Sequence, residues 1–224
     1  AKDVYPAEKI TYILPNAPGG GYDILARAIS PYITKYLKEV PGAKGGDIMI
    51  KNEARRGYSM IYNARPQGYT IGGMDTTLII DNLLGESEIE YAKLTFLVLA
   101  VSTTKMVASY KTGFNSWKEV TEAMKKGPVK MGVGFFARAN HIAGIIMNER
   151  MKTNFRLIPF PGTAECTNAL MRGDIQVMIA SQDSTKGLLD AKEIKPLLTF
   201  DDVSDYPGAV SLKDVGFPEL IDKI

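Results

Sequence analysis

The chain has 224 residues, of which 45% are hydrophobic and 23% charged, so it is long enough to bury one large core or two modest ones. The 27 Lys and Arg residues nearly balance the 25 Asp and Glu residues, and a net charge of +2 gives no electrostatic reason to expect nucleic acid as a partner. One cysteine, Cys166, and one histidine, His141, exclude an intrachain disulfide and a Cys/His zinc site. We expect no metal and no cofactor.

The first hundred residues alternate strand patterns with helix patterns. "KITYILP" predicts a strand, and a run of three glycines, Gly19 to Gly21, leads into the helical spacing of "YDILARAISPYITKYL". Pro31 lies inside that helical pattern, so we expect a kink or a break near Ser30. "DIMIKNE" and "GYTIGGM" predict two more strands, and "YSMIYNA" predicts a short helix between them. This alternation is typical of a mostly parallel α/β sheet. The apolar run from Leu94 to Val101 is far below the roughly 20 residues of a membrane-spanning helix, so we expect no direct membrane insertion.

The same order of elements repeats in the second half of the chain. "SWKE", residues 116–119, is a capping box that opens a helix, and this helix ends at Gly127 and Pro128. Strands and helices then alternate as "VKMGVG", "RANHIAGIIMNERM", "FRLIPF", "CTNALMRG" and "DIQVMIA". Two α/β units of similar construction without a flexible linker predict two lobes joined by strands.

Glycine-bearing junctions between strand and helix suggest an anion site. A helix start gathers free backbone N–H groups and the positive end of the helix dipole. The junctions are Gly19 to Gly21, "GVGFFARAN" and "PFPGTAE". The alternative is that Gly19 to Gly21 only make a tight turn, because their spacing matches neither nucleotide-binding glycine motif. Three such junctions in two lobes favour a cleft lined by helix N-termini and an anionic ligand.

Several motifs resemble those of one family, the solute receptors of tripartite tricarboxylate transporters, of the TctC and Bug type. The signature of those receptors follows a strand as Pro-x-x-Pro-Gly-Gly-x-x-Asp-x-x-x-Arg, and its positions are occupied here by Pro15, Pro18, Gly19, Gly20, Asp23 and Arg27. "PQGYTIG", "NHIAG", "IPFPGTAECTNALMRGDIQVMIA" and the return strand "IKPLLTF" resemble further family segments, in the family's order. The resemblance covers essentially the whole chain.

The resemblance implies a class II periplasmic binding protein fold. Each of two lobes is expected to hold a mixed, mostly parallel sheet flanked by helices. Residues 1–101 would form the first part of lobe one, residues 102–194 lobe two, and residues 195–224 would return to lobe one. Family chains usually continue beyond a point such as Ile224, so the C-terminal part of lobe one is expected to be truncated.

The resemblance also implies a function. Such receptors bind a small organic carboxylate in the cleft between the lobes and deliver it to the permease subunits in the membrane. We expect a periplasmic monomer whose signal peptide has been removed. A ligand-sensing protein that presents a bound carboxylate to a signalling partner is the alternative. An enzyme is not expected, because the sequence has a single histidine and no nucleophile elbow or paired-carboxylate motif.

The chain departs from the family pattern in places. Asn16 stands where the family often has an aromatic residue, and Gln67 replaces the usual Asp. Arg138 stands where small polar residues are more frequent. The candidate ligand-binding residues are those of the glycine loop, of the other junctions and of two strand ends: Ala17, Pro18, Gly19, Gly20, Gly21, Tyr22, Asp23, Thr76, Thr77, Phe135, Ala137, Arg138, Ala139, Asn140, His141, Gly162, Thr163, Ala164, Ser181, Gln182 and Asp183.

Each polar candidate also has a purely structural interpretation. Asp23 suits the first turn of a helix without any ligand, or it accepts a hydrogen bond from a ligand hydroxyl, amine or water. Arg138 is either exposed to solvent or a two-pronged clamp for a carboxylate. His141 is either packed locally or in contact with ligand. The strand-end residues Ser181 to Asp183, like Thr76 and Thr77, either make turns or face a ligand, and Phe135 and Phe136 either join the core or wall the cleft.

Overall fold

A computed structural model describes residues 4–98, 104–109 and 113–221, with only the backbone described for 104–109 and for Asp183. It divides the chain into two compact units, Ala1–Leu99 and Ala100–Ile224. Within the described residues no helix is both long enough and apolar enough to span a membrane.

The first unit alternates three strands with three helices. Its elements are β1 (Ile10–Leu14), α1 (Gly21–Lys38), β2 (Ile48–Asn52), α2 (Arg56–Tyr62), β3 (Thr70–Gly72) and α3 (Thr76–Leu83), followed by a 3₁₀ turn at Tyr91–Lys93. The strands form a parallel sheet in the order β2-β1-β3, and Leu14 at the end of β1 pairs with Asn52 at the end of β2. The carboxyl ends of the three strands therefore lie at one edge of the sheet.

Helix α1 is not broken at its internal proline. The helix continues through Pro31 to Lys38, so of the two predicted alternatives near Ser30, a kink or a break, the break does not occur. The Ser30 hydroxyl donates a 2.6 Å hydrogen bond to the Ala26 carbonyl one turn earlier, and both residues are buried. Burial of this face stabilises the helix although proline removes one backbone donor.

The second unit begins with β4 and contains six strands. Its elements are β4 (Thr104–Ser109), α4 (Trp117–Lys126), β5 (Val129–Val133), α5 (Ala139–Arg150), β6 (Phe155–Pro159), α6 (Thr163–Arg172), β7 (Val177–Ser181), α7 (Gln182–Asp190), β8 (Ile194–Thr199) and β9 (Val210–Ser211), with a 3₁₀ turn at Pro218–Leu220. The sheet order is β6-β5-β7-β4-β8-β9, and β4 alone runs antiparallel to its neighbours. This unit is therefore the expected mixed, mostly parallel sheet.

The end of the chain differs from the predicted division into lobes. Residues 195–224 were expected to return to the first lobe, but they belong to the second unit. Strand β8 pairs with β4 along its length, and β9 extends the same sheet. Leu197, Leu198 and Phe200 are buried in the core of this unit, so the segment satisfies both its backbone and its apolar side chains there.

Helices cover both faces of the six-stranded sheet. Alternate residues of β7 point to opposite faces, so that Val177 and Ile179 join the cluster containing residues of α4 and α5, whereas Met178 and Ala180 join the cluster containing residues of α6. Cys166 on α6 is a free thiol in this second cluster, and burial raises its pKa to about 12. The second unit is thus a three-layer α/β/α structure.

The first unit leaves more apolar surface exposed than the second. Among the described residues, most of the exposed large hydrophobic side chains belong to it, including Leu83, which is 82% exposed, and Val98, which is 84% exposed. Its three-stranded sheet supports a smaller buried core, which includes Ile10, Ile13 and Leu14. This unit is therefore expected to be the less stable of the two.

Candidate functional site: uncapped helix starts

The glycine loop ends at the first turn of α1. Gly19 has a φ of +76°, a left-handed conformation that a side chain disfavours, and a Cβ placed on it would meet nothing within 4 Å. Gly20 is the N-cap of α1, and its side-chain position lies 3.5 Å from the Ala17 carbonyl oxygen, an ordinary contact. No side chain caps this helix, so the first N–H groups of α1 remain available as donors. Ala17 and the exposed Pro18 lie in the same loop.

Asp23 uses its carboxylate to hold this loop. It accepts hydrogen bonds from the Gly19 N–H at 3.0 Å and from Arg27 Nε at 3.0 Å, and Arg27 Nη2 lies 2.9 Å from its other oxygen. Asn52 Nδ2 donates a further bond at 3.1 Å. The Arg27 hydrogen bond holds the pKa of Asp23 below its usual value, and the side chain is only 6% exposed. The contacts of Asp23 correspond to the structural interpretation.

Two polar residues that the sequence did not single out as site residues lie in the same network. Asn52 ends β2, and Asp75, the N-cap of α3, accepts hydrogen bonds from Tyr58 and from the Thr77 N–H. Asn16 links them, since its carbonyl accepts from Asn52 and its amide donates to Asp75 at 3.4 Å. Parallel pairing brings the residues after β1, β2 and β3 to one edge of the sheet. A sequence analysis that compared the residues at these three strand ends would therefore have indicated Asn52 and Asp75.

The start of α3 differs from that of α1. Because the Asp75 side chain accepts from the Thr77 N–H at 2.9 Å, one of the first donors of α3 is already used. Thr76 is exposed and Thr77 half-buried. Tyr22 donates its hydroxyl to the Met74 carbonyl at 3.0 Å, and burial is the main cause that raises its pKa. These contacts join the α1 start to the loop before α3.

In the second unit, the junction before α5 contains one residue with a strained backbone conformation, Ala137, whose N–H is hydrogen-bonded to His141. Ala137 has a φ of +57°, a conformation that costs a non-glycine residue on the order of 1–2 kcal/mol. Its N–H donates to His141 Nδ1 at 3.2 Å, and the ring of Phe136 lies 4.8 Å from the imidazole, measured between centroids. His141 is 9% exposed, and burial lowers its pKa. His141 thus makes a local hydrogen bond through Nδ1, and its contact with a ligand stays a prediction.

One residue of this junction, Asn140, contacts the sheet. Arg138 is the N-cap of α5 but makes no side-chain cap, and Ala139 begins the helix. Asn140 Nδ2 donates to the Ile179 carbonyl of β7 at 3.0 Å. Phe135 and Phe136 are 47% and 72% exposed, so neither joins the core.

Helices α6 and α7 also start without side-chain caps. Gly162 is the N-cap of α6, with Thr163 and the exposed Ala164 in its first turn. Ser181 is the N-cap of α7, and its hydroxyl lies 2.9 Å from that of Ser184, with Gln182 as the first helical residue. The side chain of Asp183 lies outside the described atoms.

The uncapped helix starts share a position in the fold. Strands β5, β6 and β7 are parallel and adjacent, so the helices that follow them begin at the same edge of the sheet. The Phe160 N–H, just after β6, donates to the Val133 carbonyl at the end of β5. By contrast α4, which starts at the opposite edge, is capped by Ser116, whose hydroxyl accepts from the Glu119 N–H. Among the described helices of the second unit, the three that start at this edge therefore lack the side-chain cap that α4 has.

The chemistry of this arrangement is that of anion binding. Uncapped N–H groups and helix dipoles favour negative charge. Within the described part of the chain, no group of three or more His, Cys, Asp or Glu residues could hold a metal ion.

Relatives and solved structures resemble this chain at low identity. A UPF0065 protein from the tcbD-tcbE intergenic region of Pseudomonas sp. is 22% identical over 204 residues, which are 87% of this chain and 59% of the relative. The chain therefore spans about three fifths of that relative's length. A solved structure of a periplasmic transporter is 21% identical with a TM-score of 0.80, covering 97% of this chain and 74% of the other.

A ligand-bound structure is also similar in fold. MatC from Rhodopseudomonas palustris with bound malate is 19% identical with a TM-score of 0.74, covering 96% of this chain and 74% of that chain. The family model described as the tripartite tricarboxylate transporter family receptor matches residues 44–220, more than three quarters of the sequence. The chain belongs to this family of receptors.

Proposed function

We propose that this protein is a periplasmic solute receptor that binds a small organic carboxylate and delivers it to the permease subunits of a tripartite tricarboxylate transporter. Its membership of the receptor family supports the receptor role. The malate held by the similarly folded MatC supports a carboxylate as the class of ligand.

One observation carries the proposal. Four helices of nine or more residues, α1, α5, α6 and α7, start without a side-chain cap, and each follows the carboxyl end of a parallel strand. Serine, threonine, aspartate and asparagine side chains usually cap such helix starts. A bound anion would complete such a helix start instead, and it would gain about 0.3–1 kcal/mol from the helix dipole in addition to its hydrogen bonds.

Three ionisable side chains make contacts that support a receptor role. The Asp23 carboxylate is occupied by Arg27, Asn52 and the Gly19 N–H. His141 Nδ1 accepts the Ala137 N–H, and the Cys166 thiol is buried with a raised pKa. A nucleophile or general base needs a free lone pair facing the substrate. We therefore propose no catalytic role for these three side chains.

The proposal is tested by a thermal-shift screen followed by calorimetry. Malate, adipate and citrate are compared with glucose and with choline at equal ionic strength. We expect at least one carboxylate to raise the Tm and to bind with one-to-one stoichiometry, because binding to the native state alone stabilises it. Stabilisation by glucose or choline with no response to any carboxylate would overturn the proposal.

A further inference from the structure

Asn52 occupies a distinctive position beneath the glycine loop. It is the last residue of β2 and pairs with Leu14, the last residue of β1 before the loop. Its Nδ2 donates to the Asn16 carbonyl at 3.3 Å and to Asp23 Oδ1 at 3.1 Å, and its Oδ1 accepts from Arg27 Nη2 at 3.3 Å. Both amide hydrogens and the amide oxygen are therefore used.

The chemistry of the neighbours requires a side chain with both a donor and an acceptor, which the Asn52 amide provides. An ionised Asp23 only accepts hydrogen bonds and Arg27 only donates them, so the side chain between them must offer a donor on one side and an acceptor on the other. Aspartate has no donor when it is ionised, and leucine has neither group. The same argument fixes which end of the Asn52 amide faces which neighbour.

This single amide holds the glycine loop at both ends. Its bond to the Asn16 carbonyl fixes the first part of the loop. Its bond to Asp23 orients the carboxylate that accepts the Gly19 N–H. The uncapped first turn of α1, Gly21 to Asp23, follows directly. Fixing a backbone in advance removes an entropic cost that a ligand would otherwise have to offset.

We infer that Asn52 is a positioning residue for the anion-binding start of α1, acting through Asn16 and Asp23 without touching the ligand. The inference rests on the proposed function. A residue that contacts ligand changes the order of preference among ligands. A residue that positions backbone donors lowers the affinity for every carboxylate by the same factor, because all of them use the same N–H groups.

The test uses two substitutions and a matched control. Asn52→Asp keeps the size but removes both donors and places a charge beside Asp23, and Asn52→Leu removes all three hydrogen bonds. Asn63→Leu is the control, because the exposed Asn63 in the same unit also donates its amide to a backbone carbonyl, that of Ser59 at 2.9 Å. Circular dichroism confirms that each variant is folded, and Asn52→Ser replaces any variant that is not.

Hydrogen exchange of the Gly19 amide, resolved by NMR, is the measurement that needs no ligand. We expect exchange about tenfold faster or more in the Asn52 variants, the effect of losing one hydrogen bond to a charged group, and no change in Asn63→Leu. Unchanged Gly19 exchange in the folded Asn52 variants overturns the inference, whatever the protein binds.

Calorimetry with malate, adipate and citrate completes the experiment. We expect the Kd of every carboxylate that the parent binds to rise by a common factor of about ten, with the order of preference kept. A changed order would mean that Asn52 contacts the ligand, and it would overturn the positioning role. A parent protein that binds none of the three counts against the proposed function, and Gly19 exchange then still decides whether Asn52 holds the loop.

Discussion

The starts of α1 and α5 are both uncapped, but the chain holds them in place by different means. Before α1, the left-handed position is filled by Gly19, and its N–H is held by Asp23 with Arg27 and Asn52. Before α5, the left-handed position is filled by Ala137, and its N–H is held by the imidazole of His141. The first junction uses unstrained backbone and charged groups, whereas the second uses strained backbone and one neutral acceptor.

This difference separates two ways of presenting backbone donors. Charge-assisted hydrogen bonds are stronger than neutral ones and keep the α1 junction rigid while Asp23 is ionised. The α5 junction depends on an acceptor that protonation would remove. Substitutions and pH should therefore act on the two junctions unequally.

The largest effect is expected at Gly20. Gly20→Val introduces a branched side chain between the ligand and the N–H groups of α1, and we expect the Kd for a bound carboxylate to rise about a hundredfold by loss of charge-assisted hydrogen bonds. The protein should still fold, because the φ of Gly20 is −80° and its Cβ position is only in ordinary contact with Ala17. Calorimetry checks the affinity.

Gly127→Val is the control for this substitution. Gly127 ends α4 in an extended conformation, and its Cβ position is open. We expect parental affinity from this control. If Gly20→Val binds as tightly as the control, the glycine loop is only a turn.

Asp23→Asn should act next most strongly, and mainly on stability. It replaces a charged acceptor with an amide beside Arg27. We expect the free energy of unfolding to fall by about 1–2 kcal/mol. This is the low end of the range for losing a hydrogen bond between charged groups, because Arg27 is 56% exposed and solvent screens its charge. Urea denaturation measures the change. The double variant Asp23→Asn/Asn52→Asp returns one carboxylate to the cluster and should recover part of the loss, and strictly additive losses would contradict the coupling.

Ala137→Gly should have a smaller effect on stability. Glycine relieves the left-handed strain but makes the unfolded chain more flexible, so we expect a net change within about 1 kcal/mol. If the α5 junction presents donors to the ligand, a looser backbone should raise the Kd severalfold. Lys192→Gly is the matched control, because Lys192 has nearly the same φ, +58°, at the turn after α7. Equal affinity in the two variants would remove the α5 junction from the binding site.

The smallest effect is expected from pH. Burial lowers the pKa of His141, so the unfolded chain binds the proton first as the pH falls. The contribution of His141 to stability is complete above the unfolded pKa of about 6.5 and is lost as the pH falls through the lower folded value. The contribution of Asp23, whose pKa is also lowered, is complete above the unfolded pKa of about 3.9 and is lost as the pH falls through the lower folded value.

The parent and His141→Gln are compared by thermal unfolding at pH 7.5 and 5.5. We expect the parent to lose more stability than His141→Gln over this interval. An identical loss in both proteins would show that the imidazole at the α5 junction does not titrate there.

Most of the elements could be predicted from the sequence, because their patterns are local. The hydrophobic pattern before the glycine loop correctly predicted strand β1. The capping-box pattern correctly predicted that α4 begins after Ser116. In the capping box, Glu119 accepts from the N–H of Asn115 in place of that of Ser116. Helices α3 and α7 were not predicted, because spans of eight and nine residues give only a short periodic pattern.

Features that depend on contacts between residues distant in sequence were harder to predict from the sequence. Nothing local to Asn52 indicates that it lies beside Asp23, 29 residues away, since parallel pairing of β2 with β1 brings them together. The placement of residues 195–221 was missed for the same reason, because it depends on the pairing of β8 with β4. The candidate residues at helix starts were easier to name, since a strand followed by glycine and a helix is a local signal.

The buried thiol of Cys166 has a practical consequence for measuring these effects. With a pKa of about 12, it remains almost entirely protonated at neutral pH and is covered by the side chains around α6. A cysteine introduced at an exposed position such as Ala164, in the first turn of the same helix, would present the accessible thiol to a maleimide dye. Because the native thiol would react little with the dye, a single introduced cysteine could carry a fluorescent label that reports ligand binding.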